Sequence, residues 1–469
     1  MTSMTSSSPA SQTWADPKRY LWLLSPLIPV LGIMILALHA LTGWGIFLWG
    51  GPFLVYGLIP VLDWLIGTDT SNPPESAVAA LEEDTYYRGI VYAYIPAQFI
   101  VTIWGTWVVA TGHLPLWQII GAVFSVGAIN GIAINTGHEL SHKRDTIGRW
   151  MAKLTLAPVA YGHFYVEHVR GHHKNVATPD DPASSKMGES FWRFLPRTMI
   201  GSVVSAWKIE GERLERMGKP VLTLDNDNLQ AWALTVVFFG LMTAWLGWIA
   251  LAFLLAQAFY GASLLEVINY IEHYGLLRQK DANGRFVRCS PEHSWNSNHI
   301  VTNLFLYQLQ RHSDHHAHPT RSFQALRHFE TSPQLPSGYA SMLIPAYLPF
   351  LWFRQMDPLV AAHYQGDLSL ANIQPGQRER LLRSELHRVQ QANPASDTTA
   401  QGQSSSPVTA ASAGHARFAC PDCGFVYNEM TGCPHEGFPA GTLWTKVPDS
   451  WPCPDCAVRE KVDFVPLDH

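Results

Sequence analysis

The chain has 469 residues and a formal net charge of −5, from 32 basic and 37 acidic side chains. That near balance argues against a nucleic-acid-binding protein, in which a strongly basic face is expected. Charged residues make up 15% of the chain, against about 25% in a typical soluble domain, and 18 Trp and 16 Tyr are present. Low charge with abundant Trp and Tyr is typical of a membrane protein with interfacial aromatic anchors.

Six apolar runs, each long enough to cross a bilayer, lie at residues 21–41, 44–67, 90–110, 116–136, 229–246 and 249–270. Their only charged side chains are Asp63 and Glu266. The runs pair into hairpins whose short turns carry no Lys or Arg. The positive-inside rule therefore predicts a multi-pass protein of the cell (inner) membrane, with both termini and the polar connecting segments in the cytoplasm.

Polar, low-complexity sequence marks the parts of the chain that we expect to be flexible. Residues 1–19 are predicted to be a disordered N-terminal tail, and the Ser/Thr/Ala-rich residues 392–416 are typical of a flexible linker. The predicted fold is an all-α integral membrane domain at 20–391, with six transmembrane helices and a cytoplasmic, helical, His-rich cap. A small four-cysteine metal domain follows at 417–469.

Four histidine motifs follow helix ends on the predicted cytoplasmic side: HELSH at 138–142, HVRGHH at 168–173, NYIEHYG at 269–275 and LQRHSDHH at 309–316. Histidines at i and i+4 share a helix face, so His138/His142 and His168/His172 are each expected to bind one ion. An adjacent histidine is turned by about 100° and is expected to serve a second ion. Two metal ions therefore suit the nine clustered imidazoles, which are His138, His142, His168, His172, His173, His273, His312, His315 and His316. Imidazole binds Fe, Zn, Cu or Ni, so the spacing alone leaves the metal open.

Some neighbouring residues admit more than one interpretation. HELSH matches the zinc metalloprotease signature HExxH, but that interpretation leaves seven clustered histidines unexplained. His39, His113 and His363 are isolated and are expected to be structural. His163 and His318 lie near the motifs but off the helical spacing, so a ligand role and a structural role both stay open. Side chains beside the motifs either orient the ligand imidazoles or are ordinary solvated groups; these are Glu139, Glu167, Asn269, Glu272 and Asp314.

Two CxxC pairs near the C-terminus predict a tetrahedral site with four thiolate ligands, which suits either Zn or Fe. The ligands are Cys420, Cys423, Cys453 and Cys456. Aromatic side chains between the pairs are expected to form a small apolar core around the metal; these are Tyr427, Trp444 and Trp451. Cys289 and Cys433 lack a CxxC partner and are expected to be unpaired thiols.

This module resembles rubredoxin, from its CPDCGFVYN start through GTLWTKVPDSWPCPDC. The resemblance implies one Fe, held by the four cysteines and passing one electron at a time. Ala457 departs from the family pattern, in which glycine follows the second CxxC pair. If that position has a positive φ, alanine costs on the order of 1 kcal/mol there.

Residues 20–390 resemble the membrane-bound alkane 1-monooxygenase family through HELSH, EHVRGHHKN, NYIEHYG, LQRHSDHH and the six-span arrangement. The resemblance implies a non-haem di-iron centre held by the histidine motifs, which hydroxylates medium-chain n-alkanes to 1-alkanols with O2. The expected cofactors are two Fe in the hydroxylase and one Fe in the rubredoxin-like domain. The expected partners are the n-alkane, membrane lipid and an NAD(P)H-dependent rubredoxin reductase, with the fused rubredoxin as electron donor.

The main alternative is an integral-membrane desaturase of fatty-acyl chains or lipids, or a related di-iron hydroxylase of another hydrophobic substrate. Desaturases share the HxxxH and HxxHH scheme, but their middle motif is usually HxxHH, whereas three residues separate His168 from His172 here. NYIEHYG and the fused rubredoxin also favour the hydroxylase. A non-catalytic metal-bound membrane module is a third possibility.

An alkane has no polar group to bind, so the hydroxylase interpretation requires an apolar channel within the spans. The second span is predicted to provide its wall through an i, i+4, i+8 row and two bulky side chains, namely Leu54, Leu58, Leu62, Phe53 and Trp64. The alternative is that this row packs against other spans.

Overall fold

A computed structural model describes residues 14–143, 145–387, 416–421, 423–449 and 451–467. Most of the predicted linker at 392–416 therefore lies outside the described residues, as do residues 1–13 of the predicted tail.

Within the described residues, six helices are long and apolar enough to cross a membrane, which confirms the predicted number of spans. Spans 1 to 6 are Leu21–Thr42, Gly45–Ile66, Thr85–Thr111, Leu116–Ser141, Asp227–Leu246 and Trp248–His273. At a rise of about 1.5 Å per residue, helices of this length match the roughly 30 Å hydrocarbon core of a bilayer. Spans 4 and 6 continue without a break into the first and third histidine motifs.

Spans 4 and 6 form the centre of the bundle because small residues let their backbones approach closely. A Cβ atom added at Gly127 would lie 2.7 Å from the carbonyl oxygen of Gln257, and one added at Gly131 would lie 2.8 Å from that of Gly261. The Asn130 amide donates to the Gln257 side chain at 2.8 Å, next to these glycines. The resulting contact places the two histidine-bearing helix ends side by side.

The two charged residues of the predicted apolar runs are both buried and hydrogen-bonded. Asp63 accepts a 2.9 Å hydrogen bond from the backbone N–H of Thr302 and a second one from its hydroxyl. Glu266 accepts from the hydroxyls of Tyr161 at 2.6 Å and Thr198 at 2.7 Å. Each acid thereby ties a span to the cap that covers it.

The cap is helical, as predicted. Its helices α1 to α8 are Glu75–Glu83, Thr146–Leu156, Phe191–Arg216, Ile300–Phe305, His312–Ala317, Tyr339–Tyr347, Pro349–His363 and Arg378–Leu382. The second histidine motif lies in a helical segment at 164–175, whose middle, Glu167–His172, is a π-helix.

Part of the predicted disordered tail is folded, which corrects that prediction for residues 14–19. Asp16 accepts hydrogen bonds from the Trp22 indole and the Tyr87 hydroxyl, each at 2.8 Å. Lys18 forms an ion pair with Asp69 at 2.8 Å. The sequence alone suggests a disordered tail here, because the residues that bind these polar side chains are distant in the chain.

The C-terminal module contains a three-stranded antiparallel sheet in the order β2-β1-β3. Its strands β1 to β3 are Arg417–Ala419, Val426–Asn428 and Val465–Leu467. Aromatic side chains pack against the cysteines in one core, as predicted for Tyr427, Trp444 and Trp451.

Candidate metal centre

The nine motif histidines fall into two groups at the ends of spans 4 and 6 that carry histidine motifs. The five-histidine group consists of His138, His142, His168, His173 and His315. The four-histidine group consists of His172, His273, His312 and His316. Within each group the candidate ligand atoms all lie within 4.8 Å of one another. The adjacent pairs are divided between the groups, as the 100° rotation between neighbours predicts.

The structure corrects the expectation that His168 and His172 share one ion. His168 belongs with His173, five residues later, and His172 belongs to the other group. The reason is the π-helix at Glu167–His172, because i→i+5 hydrogen bonding widens the turn and brings residues five apart onto one face. His138 and His142, on regular α-helix, do share a group.

The spacing of the imidazole nitrogens fits a bound cation in each group. Nearest Nε2 atoms are 2.8 to 3.2 Å apart in the five-histidine group and 2.8 to 3.3 Å apart in the other. With metal–nitrogen bonds of ~2.1 Å, ligands at right angles around one ion lie ~3 Å apart. The outward Nδ1 atoms of several of these histidines have no hydrogen-bond partner, so the rings are aimed by packing and not by their outer nitrogen.

Burial also favours the protonation state that binds metal. The pKa lies well below its ordinary value for cluster histidines outside the spans. The larger cause is desolvation by burial, and the smaller is repulsion from the neighbouring imidazoles. These histidines include His168, His173, His312, His315 and His316. A neutral imidazole has a free lone pair on one ring nitrogen, which is the form that binds a metal ion.

One carboxylate that orients a cluster histidine was not identified from the sequence. Asp181 is buried and accepts a 2.9 Å hydrogen bond from Nδ1 of His172, and it also accepts from the Ser184 hydroxyl at 2.6 Å. It lies in the turn after the second motif, where no helical periodicity marks it. The only sequence signal is its position in the polar segment TPDDP at 178–182.

The structure gives most of the predicted orienting side chains other partners, which corrects that expectation. Glu139 pairs with Lys143 at 2.7 Å, Asp314 accepts from His318 and Arg321, and Asn269 donates to Glu266 at 3.3 Å. Glu167 is buried against Gly171, where a Cβ would lie 2.5 Å from its carboxylate.

Glu272 differs from these side chains because it lies on the ligand side of its group. Its Oε2 atom is 3.1 Å from Nε2 of His312, the nitrogen that faces the other imidazoles. His163 is buried beside Tyr161, His318 is partly exposed beside Asp314, and neither belongs to a group.

The four cysteines of the CxxC pairs converge as predicted. Sγ of Cys420 lies 3.8 Å from that of Cys456, and Sγ of Cys423 lies 3.5 Å from that of Cys453. All four sulfur atoms lie within 4.8 Å of one another, which suits one tetrahedral ion. Cys289 and Cys433 are free thiols.

The module contacts the cap through its 3-10 turn Pro434–Glu436. Arg213 donates to the backbone carbonyl of His435 at 2.8 Å, and Arg216 donates to that of Glu436 at 3.2 Å. Arg170, between two motif histidines, lies 3.5 Å from the Glu436 carboxylate and 3.3 Å from the His435 ring. Burial raises the pKa of Glu436, but the charges of Arg170 and the neighbouring cations outweigh it, so the net shift is downward.

A polar cavity of about 470 Å³ separates the module from the five-histidine group. Cys423 of the module and His142 both line it, together with Lys143. The module therefore presents one of its metal-binding cysteines toward a histidine group.

An apolar cavity lies within the bundle, between spans 2, 4 and 6 and helices α4 and α6. Among its lining residues, Asn135 is one turn before His138 and Leu309 is three residues before His312. The cavity, of about 80 Å³, is therefore lined by residues that shortly precede a histidine of each group, although no grouped histidine lines it.

The structure revises the predicted wall of that channel. Phe53, Leu58 and Trp64 are 67%, 38% and 80% exposed on the outer face of span 2, while Leu54 and Leu62 pack among spans. The cavity is lined instead by Val55 and Ile59 of the same span. Apart from Asp63, span 2 has apolar side chains on every face, so hydrophobicity alone does not distinguish its inner face from its outer one.

Comparison with known proteins shows which family this architecture represents. The chain is 52% identical to the alkane 1-monooxygenase of Acinetobacter baylyi over 370 residues, or 78% of this chain and 91% of that protein. It is 49% identical to alkane 1-monooxygenase 1 of Alcanivorax borkumensis over 372 residues, or 79% of this chain and 91% of that protein. The chain belongs to the alkane 1-monooxygenase family. It is therefore an oxidoreductase, which confirms the predicted class.

Two family models match separate parts of this alkane 1-monooxygenase homologue. The fatty acid desaturase model matches residues 113–346 and the rubredoxin model matches residues 417–464. A more distant relative, the xylene/toluene monooxygenase hydroxylase component XylM of Pseudomonas putida, is 29% identical over 293 residues, or 61% of this chain and 76% of that protein. The rubredoxin domain has four cysteines for one Fe, and the histidine groups are consistent with a di-iron site.

Proposed function

We propose that this protein hydroxylates the terminal methyl group of medium-chain n-alkanes to 1-alkanols, with O2 as the oxidant. The observation that carries the proposal is the two groups of converging imidazoles, with an apolar cavity whose lining residues include neighbours in sequence of both groups. The reaction consumes one alkane, one O2, two electrons and two protons, and yields one 1-alkanol and one water. The alkane carbon is oxidised and O2 is reduced.

The residues that would hold two iron ions are the nine grouped histidines. Bound iron supplies the redox chemistry with O2 that no amino-acid side chain provides. Asp181 orients His172 through its Nδ1 atom, and the π-helix at Glu167–His172 sets which histidines face each ion. Glu272 lies near enough to the four-histidine group to approach the same ion.

The apolar cavity has the task of binding a substrate without polar groups. Val55, Ile59, Leu264 and Leu343 present an apolar wall to the chain. Because an alkane reaches the protein from lipid, which is as apolar as this wall, selection of chain length depends on how well the chain fits the enclosed space and not on removal of methylene groups from water. Burial of both histidine groups excludes bulk water from the reacting end.

The electrons are proposed to come from the rubredoxin domain of the same chain. Its contact with Arg170, Arg213 and Arg216 places Cys423 at the polar cavity that His142 also lines. A tether at 392–416 would raise the effective concentration of the domain to the millimolar range, so a weak contact suffices. An NAD(P)H-dependent reductase is the proposed external source of electrons.

The proposal also includes the domain boundaries and the orientation of the protein in the membrane. The hydroxylase domain comprises residues 20–391 and the rubredoxin domain 417–469, with both termini and all histidine motifs on the cytoplasmic side of the cell membrane. The support is the absence of basic residues from the short turns between paired spans.

Product analysis tests the reaction. Protein in lipid vesicles, supplied with reductase, NAD(P)H, n-alkane and ¹⁸O2, should release 1-alkanol that carries one ¹⁸O atom. The match to the desaturase model makes dehydrogenation the second candidate, and an alkene without ¹⁸O, formed while both ¹⁸O atoms leave as water, would support it. Formation of benzylic alcohol from an arene but no alkanol from alkanes would place the substrate class nearer that of the XylM relative.

Removal of the module tests the electron donor. A chain cut near Ser404 should form no alkanol with reductase alone and should recover activity as separate rubredoxin is titrated. The Cys453→Ser variant should lose reductase-driven turnover while it keeps its histidine-bound iron. Full activity in either case would show that the module is not the donor.

A further inference from the structure

Three partly buried tyrosine hydroxyls meet between elements that also form the apolar cavity. The hydroxyl of Tyr56 lies 2.9 Å from that of Tyr260 and 3.2 Å from that of Tyr347. Tyr56 is on span 2, Tyr260 is on span 6 and Tyr347 ends helix α6. These are three of the elements between which the cavity lies.

Each tyrosine is close in sequence to a residue that lines the cavity. Tyr56 follows Val55 directly, Tyr260 precedes Leu264 by one helical turn, and Tyr347 follows Leu343 by one turn. All three tyrosines pack, partly buried, against the core cluster that contains these lining residues. The tyrosines, which are partly exposed, therefore pack against the same side chains that form the cavity wall, although they do not line the cavity themselves.

The rest of the contact around the hydroxyls is aromatic and apolar. The Tyr260 ring lies 4.8 Å from that of Phe124, and the Tyr347 ring lies 5.3 Å from that of Phe191. The hydroxyl bonds thus provide the polar link between three elements that otherwise touch through side-chain packing. Hydrogen bonds between uncharged side chains within a membrane protein are individually weak, so such a link can open thermally.

We propose that Tyr56, Tyr260 and Tyr347 form a lateral gate through which alkane chains pass from the bilayer into the cavity. The inference rests on the proposed function for its substrate, because an alkane partitions into lipid and has no reason to approach from the aqueous side. Tyr56 is the central residue, since its hydroxyl contacts both others. Opening requires only that these two contacts break while the histidine-bearing ends of spans 4 and 6 stay in place.

A chemical labelling experiment tests the gate without turnover. Leu343→Cys places a thiol in the cavity wall, and N-pyrenylmaleimide in phosphatidylcholine vesicles of the full chain serves as a lipid-soluble probe. Peptide mass spectrometry measures the labelling rate at position 343 alone. Adding Tyr56→Phe, which removes both hydroxyl contacts and keeps the ring, should raise that rate about tenfold; Tyr260→Phe and Tyr347→Phe should each raise it less.

Tyr94→Phe is the matched control, because its buried hydroxyl also makes one hydrogen bond, to the Ile129 carbonyl, but away from the cavity. It should leave the rate at position 343 unchanged. Equal rates with and without Tyr56→Phe, or an equal rise with Tyr94→Phe, would overturn the gate. If the Tyr56 variant fails to fold, the Tyr260 and Tyr347 variants decide the question in the same assay. A parent chain that forms no alkanol would refute the proposed function, while the labelling result would still stand.

Discussion

Asp181 accepts a 2.9 Å hydrogen bond from Nδ1 of His172, while the Nε2 atom of that histidine faces His316 at 3.2 Å. One ring nitrogen is thereby held by a carboxylate and the other is left to face the four-histidine group. A carboxylate in this position fixes the tautomer and raises the basicity of the ligand nitrogen. Among the described cluster histidines, this is the clear case of a carboxylate bonded to an outward Nδ1 atom.

Replacing Asp181 should therefore weaken iron binding in the four-histidine group. We expect Asp181→Ala to lower the iron affinity of that group about 10- to 100-fold, as loss of such a partner typically does. Iron per chain, measured after dialysis against a series of chelator concentrations, reports the change. Asp180→Ala is the control, because the neighbouring carboxylate is exposed and faces no histidine. Equal iron retention in the two variants would exclude the orienting role.

The two-group arrangement predicts that one histidine from each group is individually necessary. His168→Ala and His312→Ala should each abolish alkanol formation and each lower bound iron from two ions toward one in the membrane domain. Circular dichroism should show the helix content unchanged, since neither ring contributes to the contacts between spans. His163→Gln, at a buried histidine outside both groups, should keep its iron. Normal turnover in either alanine variant would remove that residue from the ligand set.

The sequence was a good guide where a single periodicity governs the structure. The six spans follow from the length of apolar runs, and the division of His315 from His316 follows from the α-helical rotation between neighbours. It failed at His168, because the motif lies on a π-helix that α-helical spacing does not describe. The sequence also contains no indication of Asp181, because this residue lies in a turn and reaches His172 only through the fold, so no helical periodicity marks it.

Span 2 shows a second limit. Apart from Asp63, its side chains are apolar on every face, so hydrophobicity does not separate the residues buried among spans from those exposed to lipid. Phe53 and Trp64 were expected in the channel but face outward, whereas Val55 faces the cavity. Only the contact of span 2 with spans 4 and 6 selects the inner face.

Ala457 has a φ of +54°, so the predicted positive φ at this position is present and alanine is strained there. Ala457→Gly should stabilise the rubredoxin domain by about 1 kcal/mol. Gly424 follows the first CxxC pair with a φ of +70° and open space at its Cβ position, so Gly424→Ala should destabilise the domain by a similar amount. Thermal loss of the iron–thiolate absorption in the full chain measures both changes. Shifts of the same sign in the two variants would contradict the strain argument.

The contact between the rubredoxin domain and the cap should depend on pH through His435. Burial, followed by the charges of Arg170 and Arg213, lowers the pKa of His435 to about 4, although Asp227 and Glu436 oppose the shift. The undocked side chain titrates near its ordinary value of about 6.5. Docking is therefore strongest above pH ~6.5 and weakens as the pH falls toward 4, because protonation of the undocked form competes with docking.

The measurement for His435 is the rate at which the reduced rubredoxin domain is reoxidised in the presence of alkane and O2. Between pH 6.5 and 5 this rate should fall several-fold in the parent chain and stay nearly flat in His435→Gln, whose side chain does not titrate. Because both chains share the histidine groups, the variant also reports the pH dependence of the remaining reaction. Parallel profiles would show that His435 is not the titrating group.

Gly437 provides a steric test of the same contact. It has a φ of +87°, and a Cβ atom there would lie 2.5 Å from the carbonyl carbon of Arg216. Gly437→Ala should therefore displace the domain from the cap and slow the reoxidation of the domain at least tenfold. Because the cause is steric, changing the salt concentration or the pH should not restore the rate. Gly441 has a similar φ of +83° but open space at its Cβ position, so Gly441→Ala introduces the same backbone strain without the clash. The Gly441 variant should lose comparable domain stability yet transfer electrons at nearly the parent rate. If both variants slow the transfer equally, backbone strain within the domain explains the loss, and the Arg216 contact does not position the donor.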